Sequence, residues 1–187
     1  MSNNNFRLSS LFVSVITITL ILILAIIYLN QIKARKRDDA RIANIHLIES
    51  TLKLYDDKKG YFPDTGDDDC FGFDLGLSNF DPGEEKSFLK NLGMENLISK
   101  IPVDSYPKLQ DIGKCNNFNQ NKNYYSFAYQ KFEPGKYGCD KDKGAFYILG
   151  ITNFETYDES PEKSPGFSCP ELDFSKEFSW VTGKFEK

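Results

Sequence analysis

The sequence predicts an α+β protein, in which a long N-terminal α-helix precedes a small antiparallel β-sheet. An uncharged apolar stretch over residues 11–29 and apolar residues at helical spacing over residues 42–55 predict the helix. Two runs of β-branched and aromatic residues, over 124–132 and 145–154, predict the sheet. Before Gly60 the chain contains neither glycine nor proline, whereas both are frequent after it. The chain is therefore expected to change character at this glycine.

Four segments follow from this division. We expect a short N-terminal segment over residues 1–10, a transmembrane helix over 11–29, an amphipathic helix over 30–59 that continues it, and a globular head over 60–187. With 187 residues and one long apolar segment, the chain has room for one soluble domain of ordinary size.

The apolar stretch over residues 11–29 predicts a membrane anchor. Its 19 residues are close to the ~20 that a helix needs to cross a bilayer. Its β-branched residues do not prevent a helix in lipid, where the backbone must satisfy its own hydrogen bonds. A cleavable secretory signal is the alternative, but the run is longer than an ordinary signal core and no A-x-A-like site follows. We expect the segment to remain in the protein.

The region after the anchor predicts an amphipathic helix. One face carries apolar residues at steps of three and four, namely Ile42, Ile45, Ile48, Leu52 and Tyr55. The opposite side carries polar residues, namely Arg41, Asn44, Lys53 and Asp57. We expect the apolar face to be the packing face of the helix. His46 lies beside that face and is expected to be a flanking residue, not a metal ligand.

The end of this helix is predicted at Gly60. Lys58 and Lys59 complement the negative end of the helix dipole, and the glycine suits a left-handed position just after the helix. Pro63 then prevents an early restart. Because nothing over residues 6–59 breaks a helix, one rod of roughly 80 Å is possible. A bend near residues 33–39 is the alternative.

The four cysteines predict two disulfides in an oxidising compartment. They are Cys70, Cys115, Cys139 and Cys169, all in the loop-rich region after Gly60. A zinc site is the rival interpretation, but no CxxC pair occurs and the one histidine lies far upstream. Three pairings are possible. We favour neighbours in chain order, Cys70 with Cys115 and Cys139 with Cys169.

Charge argues against a nucleic-acid partner and leaves a conflict about topology. The net charge is −4, and the clustered cations follow the anchor directly, where they are expected to lie at the lipid headgroups: Lys33, Arg35, Lys36, Arg37 and Arg41. The positive-inside rule alone places this cluster in the cytoplasm. The cysteines place everything after the anchor outside, and we follow the cysteines.

The remaining region contains a predicted hairpin but no recognisable enzyme constellation. The two strand candidates flank a run of turn formers, "EPGKYGCDKDKG", and "FSWVTGKFE" is expected to add an edge strand. A short helix is expected over residues 84–92, ended by Gly93, and "SPEKSPGFSCPEL" is expected to be loop. There is no phosphate-binding glycine loop and no GxSxG, so we predict that the chain is not an enzyme.

Calcium is the one cofactor that the residues suggest. Asp64, Asp67, Asp68 and Asp69 are clustered, and "DKDKG" over residues 140–144 resembles the start of a calcium loop. However, the spacing of the first group fits no EF-hand, and Ile151 stands where the second would need its glutamate. We therefore expect solvated acidic turns and no cofactor.

The layout resembles the type IV pilin and type II secretion pseudopilin family. The stretch "ARIANIHLIESTLKLYDDKKGYFP" is similar to the major-pseudopilin pattern, with matching residues Ala40, Arg41, Ile45, Leu52, Tyr55, Gly60, Tyr61 and Pro63. "KIPVDSY" resembles the Pro-x-Asp stretch before the family's sheet. The resemblance implies that the amphipathic half buries its apolar face under the sheet. It also implies that the N-terminal half anchors the subunit and packs with other subunits in a filament.

The N-terminal processing site departs from the family pattern. Members carry a glycine followed by Phe-Thr-Leu-Ile-Glu, where this chain has "NFRLSSL". Phe6 and Leu8 align, but Asn5 replaces the glycine and Ser10 replaces the glutamate. That carboxylate would pair with a neighbour's freed N-terminus. A permanently anchored, minor or non-filament component is therefore an open alternative to a processed subunit.

Two functions from different classes follow. The first is a structural subunit of a cell-surface filament or secretion apparatus, which self-associates or joins other pilin-like subunits through its N-terminal helix. The second is an uncleaved, membrane-anchored receptor or accessory protein whose head binds an extracellular ligand through aromatic loops in the 61–80 and 118–137 regions. Both place a single-pass protein in the cell membrane with its head on the extracytoplasmic side.

Overall fold

The computed structural model describes residues 3–66, 73–76, 88–99, 102, 127–156 and 161–186, with side chains in the first range from Phe12 onward. The chain divides into two compact units, Met1–Lys36 and Arg37–Lys187. The boundary between them falls within helix α1, Asn3–Lys59. Each unit is described by itself below.

The first unit consists of the N-terminal part of α1. Residues 11–29 contain neither glycine nor proline, so nothing interrupts the backbone hydrogen bonds of the helix. The large apolar side chains of this part are exposed, from Phe12 at 71% to Leu29 at 55%. From Phe12 to Leu29 the helix therefore exposes an apolar surface.

The second unit contains a four-stranded antiparallel sheet. Its strands are β1 (Asp74–Gly76), β2 (Phe127–Phe132), β3 (Phe146–Ile151) and β6 (Trp180–Phe185), in the spatial order β1-β2-β3-β6. The predicted hairpin is confirmed, since β2 and β3 pair along their whole length from Phe127 with Ile151 to Phe132 with Phe146. The predicted edge strand is confirmed as β6. With α1 packed against this sheet, the α+β prediction is confirmed.

Two local predictions were wrong. The segment expected to be loop contains a small hairpin, β4 (Ser168–Cys169) and β5 (Leu172–Asp173), because the Pro170–Glu171 turn brings its arms together. Helix α2 (Phe88–Met94) runs through Gly93, and residues 84–87 of the predicted helix lie outside the described residues. The helix stops where Asn96 adopts a positive φ of 56° and Leu97 N–H donates to the carbonyl of Leu92.

The sheet is covered on both faces. Alternate side chains of the strands point to opposite sides, so each strand contributes to two clusters. The helix-side cluster joins α1 and α2 to one face and contains Ile45, Ile48, Leu52, Tyr55, Phe62, Phe88, Leu89, Leu92, Ile98, Phe127, Tyr129, Tyr147, Leu149, Ile151, Phe154 and Trp180. The outer cluster covers the other face with Phe73, Ala128, Phe132, Cys139, Phe146, Ile148, Cys169, Phe174, Phe178 and Val181.

Two strand glycines make room for aromatic rings of the outer layer. A Cβ at Gly150 would lie 2.7 Å from the Phe178 ring, and one at Gly183 would lie 2.6 Å from the Phe167 ring. These distances are shorter than van der Waals contact. The two rings therefore lie directly on the sheet backbone, which explains why glycine occupies the middle of otherwise β-forming strands.

We expect Gly150→Ala to lower the free energy of unfolding by about 1–3 kcal/mol, because the added methyl group overpacks the site against Phe178. Urea unfolding of the full chain in detergent micelles, followed by the fluorescence of the single tryptophan, Trp180, measures this. Gly150→Ala should cost less when it is introduced into a Phe178→Leu background, where the ring is gone. An equal cost in both backgrounds would contradict the close approach.

Candidate functional site: the membrane helix and its attachment to the head

The first half of α1 is suited to a bilayer in length and composition. The helix Phe12–Lys59 contains a stretch that is long and apolar enough to cross a membrane, and this stretch lies near the N-terminus of the chain. Its polar side chains bond within the helix, since the hydroxyl groups of Thr17 and Thr19 each donate to a backbone carbonyl four residues back, at 2.9 Å. A hydroxyl satisfied in this way costs less to place in hydrocarbon. The segment is a candidate membrane span.

The residues of the predicted processing site lie at the start of α1. The backbone of Asn5, Phe6 and Ser10 is helical, and their side chains are outside the described residues. Asn5 and Phe6 therefore lie on one turn of the helix and Ser10 on the next turn.

The clustered cations after the anchor divide into two groups. Lys33, Arg35 and Lys36 are exposed. Arg37 and Arg41 instead form ion pairs with Glu155, and Arg41 is only 2% exposed. The prediction that Arg41 lies on the polar side of the helix and at the lipid headgroups was therefore wrong. Its guanidinium group is buried because it forms ion pairs with the carboxylates of Asp38 and Glu155.

A buried charge cluster, which we call the clamp, attaches the loop after β3 to α1. It consists of Arg37, Asp38, Arg41, Glu155 and Thr156. The Asp38 carboxylate is fully buried and accepts hydrogen bonds from the backbone N–H groups of Glu155 and Thr156, both at 2.9 Å. It also accepts from the Thr156 hydroxyl at 2.7 Å and pairs with Arg41 at 2.6 Å. Arg41 in turn reaches Glu155 at 2.8 Å.

The clamp is electrically neutral and well supplied with hydrogen bonds. Two carboxylates face two guanidinium groups, so no buried charge is left uncompensated. Because Asp38 holds two successive backbone N–H groups, it fixes the conformation of the loop as well as its position. The clamp can orient the head on its helix.

The sequence contains a signal for the clamp that was not predicted from the apolar pattern. The apolar face was taken to begin at Ile42, but the buried face continues upstream through Arg41 and Asp38 at the same helical spacing, before Ile45. Charged residues in line with an apolar face indicate a buried ion pair. The partner, Glu155, could not be identified from sequence, since more than a hundred residues separate it from Asp38.

The predicted packing face lies in the core. Ile45, Ile48 and Leu52 are fully buried, Tyr55 is 9% exposed, and Ile42 packs against the same cluster while partly exposed. The structure thus brings all five residues to the sheet. Burial raises the pKa of Tyr147, a β3 residue of this cluster, above its usual range.

The end of α1 is fixed by backbone geometry and by the strands. Gly60 has a φ of 79°, and its N–H donates to the carbonyl of Asp56 at 2.7 Å, which caps the helix. The Pro63 carbonyl accepts from the Tyr129 hydroxyl at 2.5 Å, and the Phe62 N–H donates to the Glu186 carboxylate at 3.1 Å. The predicted helix end therefore also begins the segment that crosses the sheet.

A second ionic contact joins the last turn of α1 to the residues after α2. Lys58 and Lys59 pair with Glu95 at 2.7 and 2.8 Å. Hydrogen bonds from these two ammonium groups lower the pKa of the Glu95 carboxyl to about 2, and the same contact raises the pKa of Lys59. The part of α1 that belongs to the second unit, which we call the head half, thus makes ion pairs with the head near both of its ends.

One of the two predicted disulfides is confirmed. Cys139 and Cys169 are bonded, with their Cα atoms 4.9 Å apart, and both sulfurs lie in the outer cluster. The bond ties the β2–β3 connection to β4. Cys70 and Cys115, whose pairing was also predicted, lie outside the described residues.

The described part of the chain offers no group of three or more His, Cys, Asp and Glu side chains arranged for a metal ion. Asp140 accepts from the N–H of Asp142 and so begins a tight turn, while Asp64 pairs with Lys131 at 3.3 Å. Asp67, Asp68 and Asp69 lie outside the described residues. His46 is exposed and contacts Glu162 at 2.7 Å, as expected for a flanking residue.

The outward face of α1 carries a stripe of small and apolar residues, which we call the seam. Its members are exposed and recur at steps of three and four: Ala40, Ala43, Leu47, Ser50 and Leu54. Leu47 and Leu54 are 44% and 52% exposed. The Ser50 hydroxyl donates to the Leu47 carbonyl at 2.9 Å, so the seam does not present an unsatisfied donor there. This second periodic face was not predicted from the sequence.

Replacing the buried carboxylate of the clamp should be costly. We expect Asp38→Ala to lower the free energy of unfolding by about 3–5 kcal/mol, because Arg41 and two backbone N–H groups lose their partner. The adjacent residue, Asp39, is exposed, so Asp39→Ala is the matched control and should change stability by less than about 0.5 kcal/mol. Urea unfolding followed by Trp180 fluorescence compares them. Equal effects at the two positions would contradict the clamp.

The Glu95 carboxyl should titrate near pH 2 in the folded full chain, which NMR of its side-chain carbonyl carbon can measure. Because its folded pKa lies below the ordinary value of 4.5, its contribution to stability is present above pH 4.5 and is lost as the pH falls through about 2. In the Lys58→Gln/Lys59→Gln variant the pKa should return toward 4.5. An unshifted Glu95 in the unmodified chain would contradict the contact.

Comparison of the chain with protein-family models, with curated proteins and with solved structures finds no match at a significant level. The likeness to pilins and pseudopilins therefore rests on the residues quoted above. Function has to be inferred from the helix, the clamp and the seam.

Proposed function

We propose that the protein is a structural, pilin-like or pseudopilin-like subunit of a cell-surface filament or secretion apparatus. It acts by anchoring in the membrane and by self-association through α1. One observation carries the proposal: the head half of α1 buries one face under the sheet and leaves the seam exposed on the other. Packing against the sheet of the same chain uses only the buried face of α1, so the exposed apolar seam is explained by contact with another molecule.

The seam has the pattern of a helix–helix contact. Apolar or small residues at alternating steps of three and four form the stripe that packs against a partner helix in coiled coils. Ala40 and Ala43 allow close approach of a partner, whereas Leu47 and Leu54 provide side chains that can fit between those of the partner. Every copy of the chain carries this stripe on a helix of the same kind. A second copy is therefore a natural partner.

The disulfide and the candidate anchor support a compartment for the head. The Cys139–Cys169 bond favours an oxidising environment for the head. With one candidate span among the described residues, such a head would lie on the extracytoplasmic side of the cell membrane. The cations after the anchor argue for the opposite orientation, and we give the disulfide more weight because it is a covalent feature of the folded head.

The receptor alternative drew on aromatic residues that have other partners. In the described parts of the 61–80 and 118–137 regions, the aromatic side chains are mostly buried in the two clusters, namely Phe62, Phe73, Phe127, Tyr129 and Phe132. Tyr61 is 44% exposed but makes an edge contact with Tyr55. These residues favour a core role over ligand recognition, so the subunit proposal is preferred.

Photo-crosslinking in membranes tests the proposal. With a benzoylphenylalanine at position 47 or 54, the full chain should yield crosslinked dimers, because these positions lie on the seam. The same residue at Lys141, which is exposed on the turn between β2 and β3, is the control and should yield none. Leu54→Asp should abolish the dimer formed from position 47, since it places a charge in the contact.

Dimers in equal yield from position 141 would indicate random collision and contradict a specific seam. Their complete absence from positions 47 and 54 would contradict self-association through α1. Crosslinks of a different mass from the seam positions would instead indicate another subunit as the partner.

A further inference from the structure

We propose that the outer edge of β6, at Gly183 and Phe185, is a docking site for an extended strand of another protein. The docked strand would carry an acidic residue between two apolar residues. The proposal concerns the second unit alone and goes beyond the self-association through α1 proposed above. Three observations carry it: open backbone groups on this edge, a lysine between them, and aromatic rings beside them.

Strand β6 is the last described strand on its side of the sheet. One side of β6 pairs with β3, and the strand order places no other described strand on the opposite side. In an antiparallel strand the backbone groups of successive residues point alternately to the two sides. The N–H of Val181 donates to the Ser164 hydroxyl at 2.8 Å, and its carbonyl accepts from the Gly166 N–H at 2.9 Å. Val181 therefore points away from β3.

The next two outward positions of β6 are open. Gly183 and Phe185 follow Val181 at steps of two, and the alternation is confirmed at Glu186, whose N–H donates inward to the Ala145 carbonyl at 2.8 Å. The outward groups of Gly183 and Phe185 make no hydrogen bond within the described parts of the chain. Both residues are partly exposed. Two donors and two acceptors are thus presented in the pattern that an added strand satisfies.

The charge on this edge favours an acidic strand over a second copy of the chain. Lys184 lies between the two open positions, with its side chain 49% exposed and its ammonium group 3.7 Å from Asp56, beyond hydrogen-bonding distance. Two copies joined edge to edge would satisfy all the open groups only with Gly183 opposite Phe185. That register places Lys184 opposite Lys184 of the second copy, and like charges directly opposite are destabilising. A carboxylate at the same place is favourable.

The other face of this edge favours apolar neighbours. The Phe167 ring lies on the backbone of Gly183 and 5.5 Å from the Phe185 ring. Residues of a docked strand opposite Gly183 and Phe185 would place their side chains on this face, beside the two rings. The ammonium group of Lys143 lies 5.4 Å from the centre of the Phe185 ring and adds a second cation near the edge. The edge therefore fits the order apolar, acidic, apolar.

Amide hydrogen exchange, measured by NMR on the full chain in detergent micelles, tests the proposal. The probe is the peptide acetyl-Val-Thr-Val-Glu-Val-Thr-Val-amide. With about 1 mM peptide, we expect exchange at the amides of Gly183 and Phe185 to slow about tenfold, which corresponds to a dissociation constant of about 0.1 mM. The Val181 amide is an internal control, because it is already bonded to Ser164 and should not change.

Two substitutions test the role of charge. The same peptide with lysine in place of its glutamate should bind about fivefold more weakly to the unmodified chain. The difference between the two peptides should disappear in Lys184→Gln. The matched control is Lys176→Gln, because Lys176 also lies 3.7 Å from a carboxylate, that of Asp173, and is exposed. It should leave the difference unchanged.

Unchanged exchange at Gly183 and Phe185 in the presence of the peptide would overturn the docking site. Equal affinity of the two peptides for the unmodified chain would overturn the preference for an acidic strand. Slow exchange that is present without peptide and is lost on dilution would indicate that a second copy occupies the edge, and it would overturn the assignment to another protein. None of these outcomes depends on the seam, so failure here is distinct from failure of the proposed function.

Discussion

The fold depends on the burial of one face of α1 under the sheet. Ile45, Ile48 and Leu52 are fully buried against side chains of β2, β3 and β6, and each such side chain contributes about 1.5–3 kcal/mol when removed from water. Without this contact the sheet would lose the part of its apolar cover that α1 provides on this face. The part of α1 from Arg37 onward therefore belongs to the core of the second unit. A chain built in this way cannot lose this part of the helix and keep its fold.

Charged contacts at the two ends of the head half supplement this apolar contact. The clamp holds the loop after β3 to α1 at Asp38, and Lys58 and Lys59 hold Glu95 at the other end. The clamp is buried, so removing one of its partners is expensive, whereas the exposed contact at Glu95 is screened by solvent. Ionic contacts also specify geometry more narrowly than apolar packing does. They can therefore fix the orientation of the sheet and its loops on the part of α1 that belongs to the second unit.

Local sequence patterns predicted the main helix and the main strands. Contacts between residues far apart in the chain could not be predicted from such patterns. The helix face over residues 42–55, its end at Gly60, the hairpin and the edge strand all follow from periodicity and turn formers close together in the chain. The aromatic layer on the outer face of the sheet was not predicted, because Phe167 comes from the segment expected to be loop and Phe178 precedes the strand β6. The clamp was missed because its carboxylates are far apart in sequence. The seam could have been predicted, since its spacing is visible in the sequence.

We propose that one helix both anchors the chain and carries an extracytoplasmic head. Protease protection of the full chain in sealed, alkali-washed vesicles of known orientation tests it most directly. We expect the chain to remain in the membrane and the head to be degraded in right-side-out vesicles but protected in inside-out ones. Release of the chain by alkali would contradict the anchor. Degradation in inside-out vesicles would contradict the orientation and the oxidising compartment inferred from the Cys139–Cys169 bond.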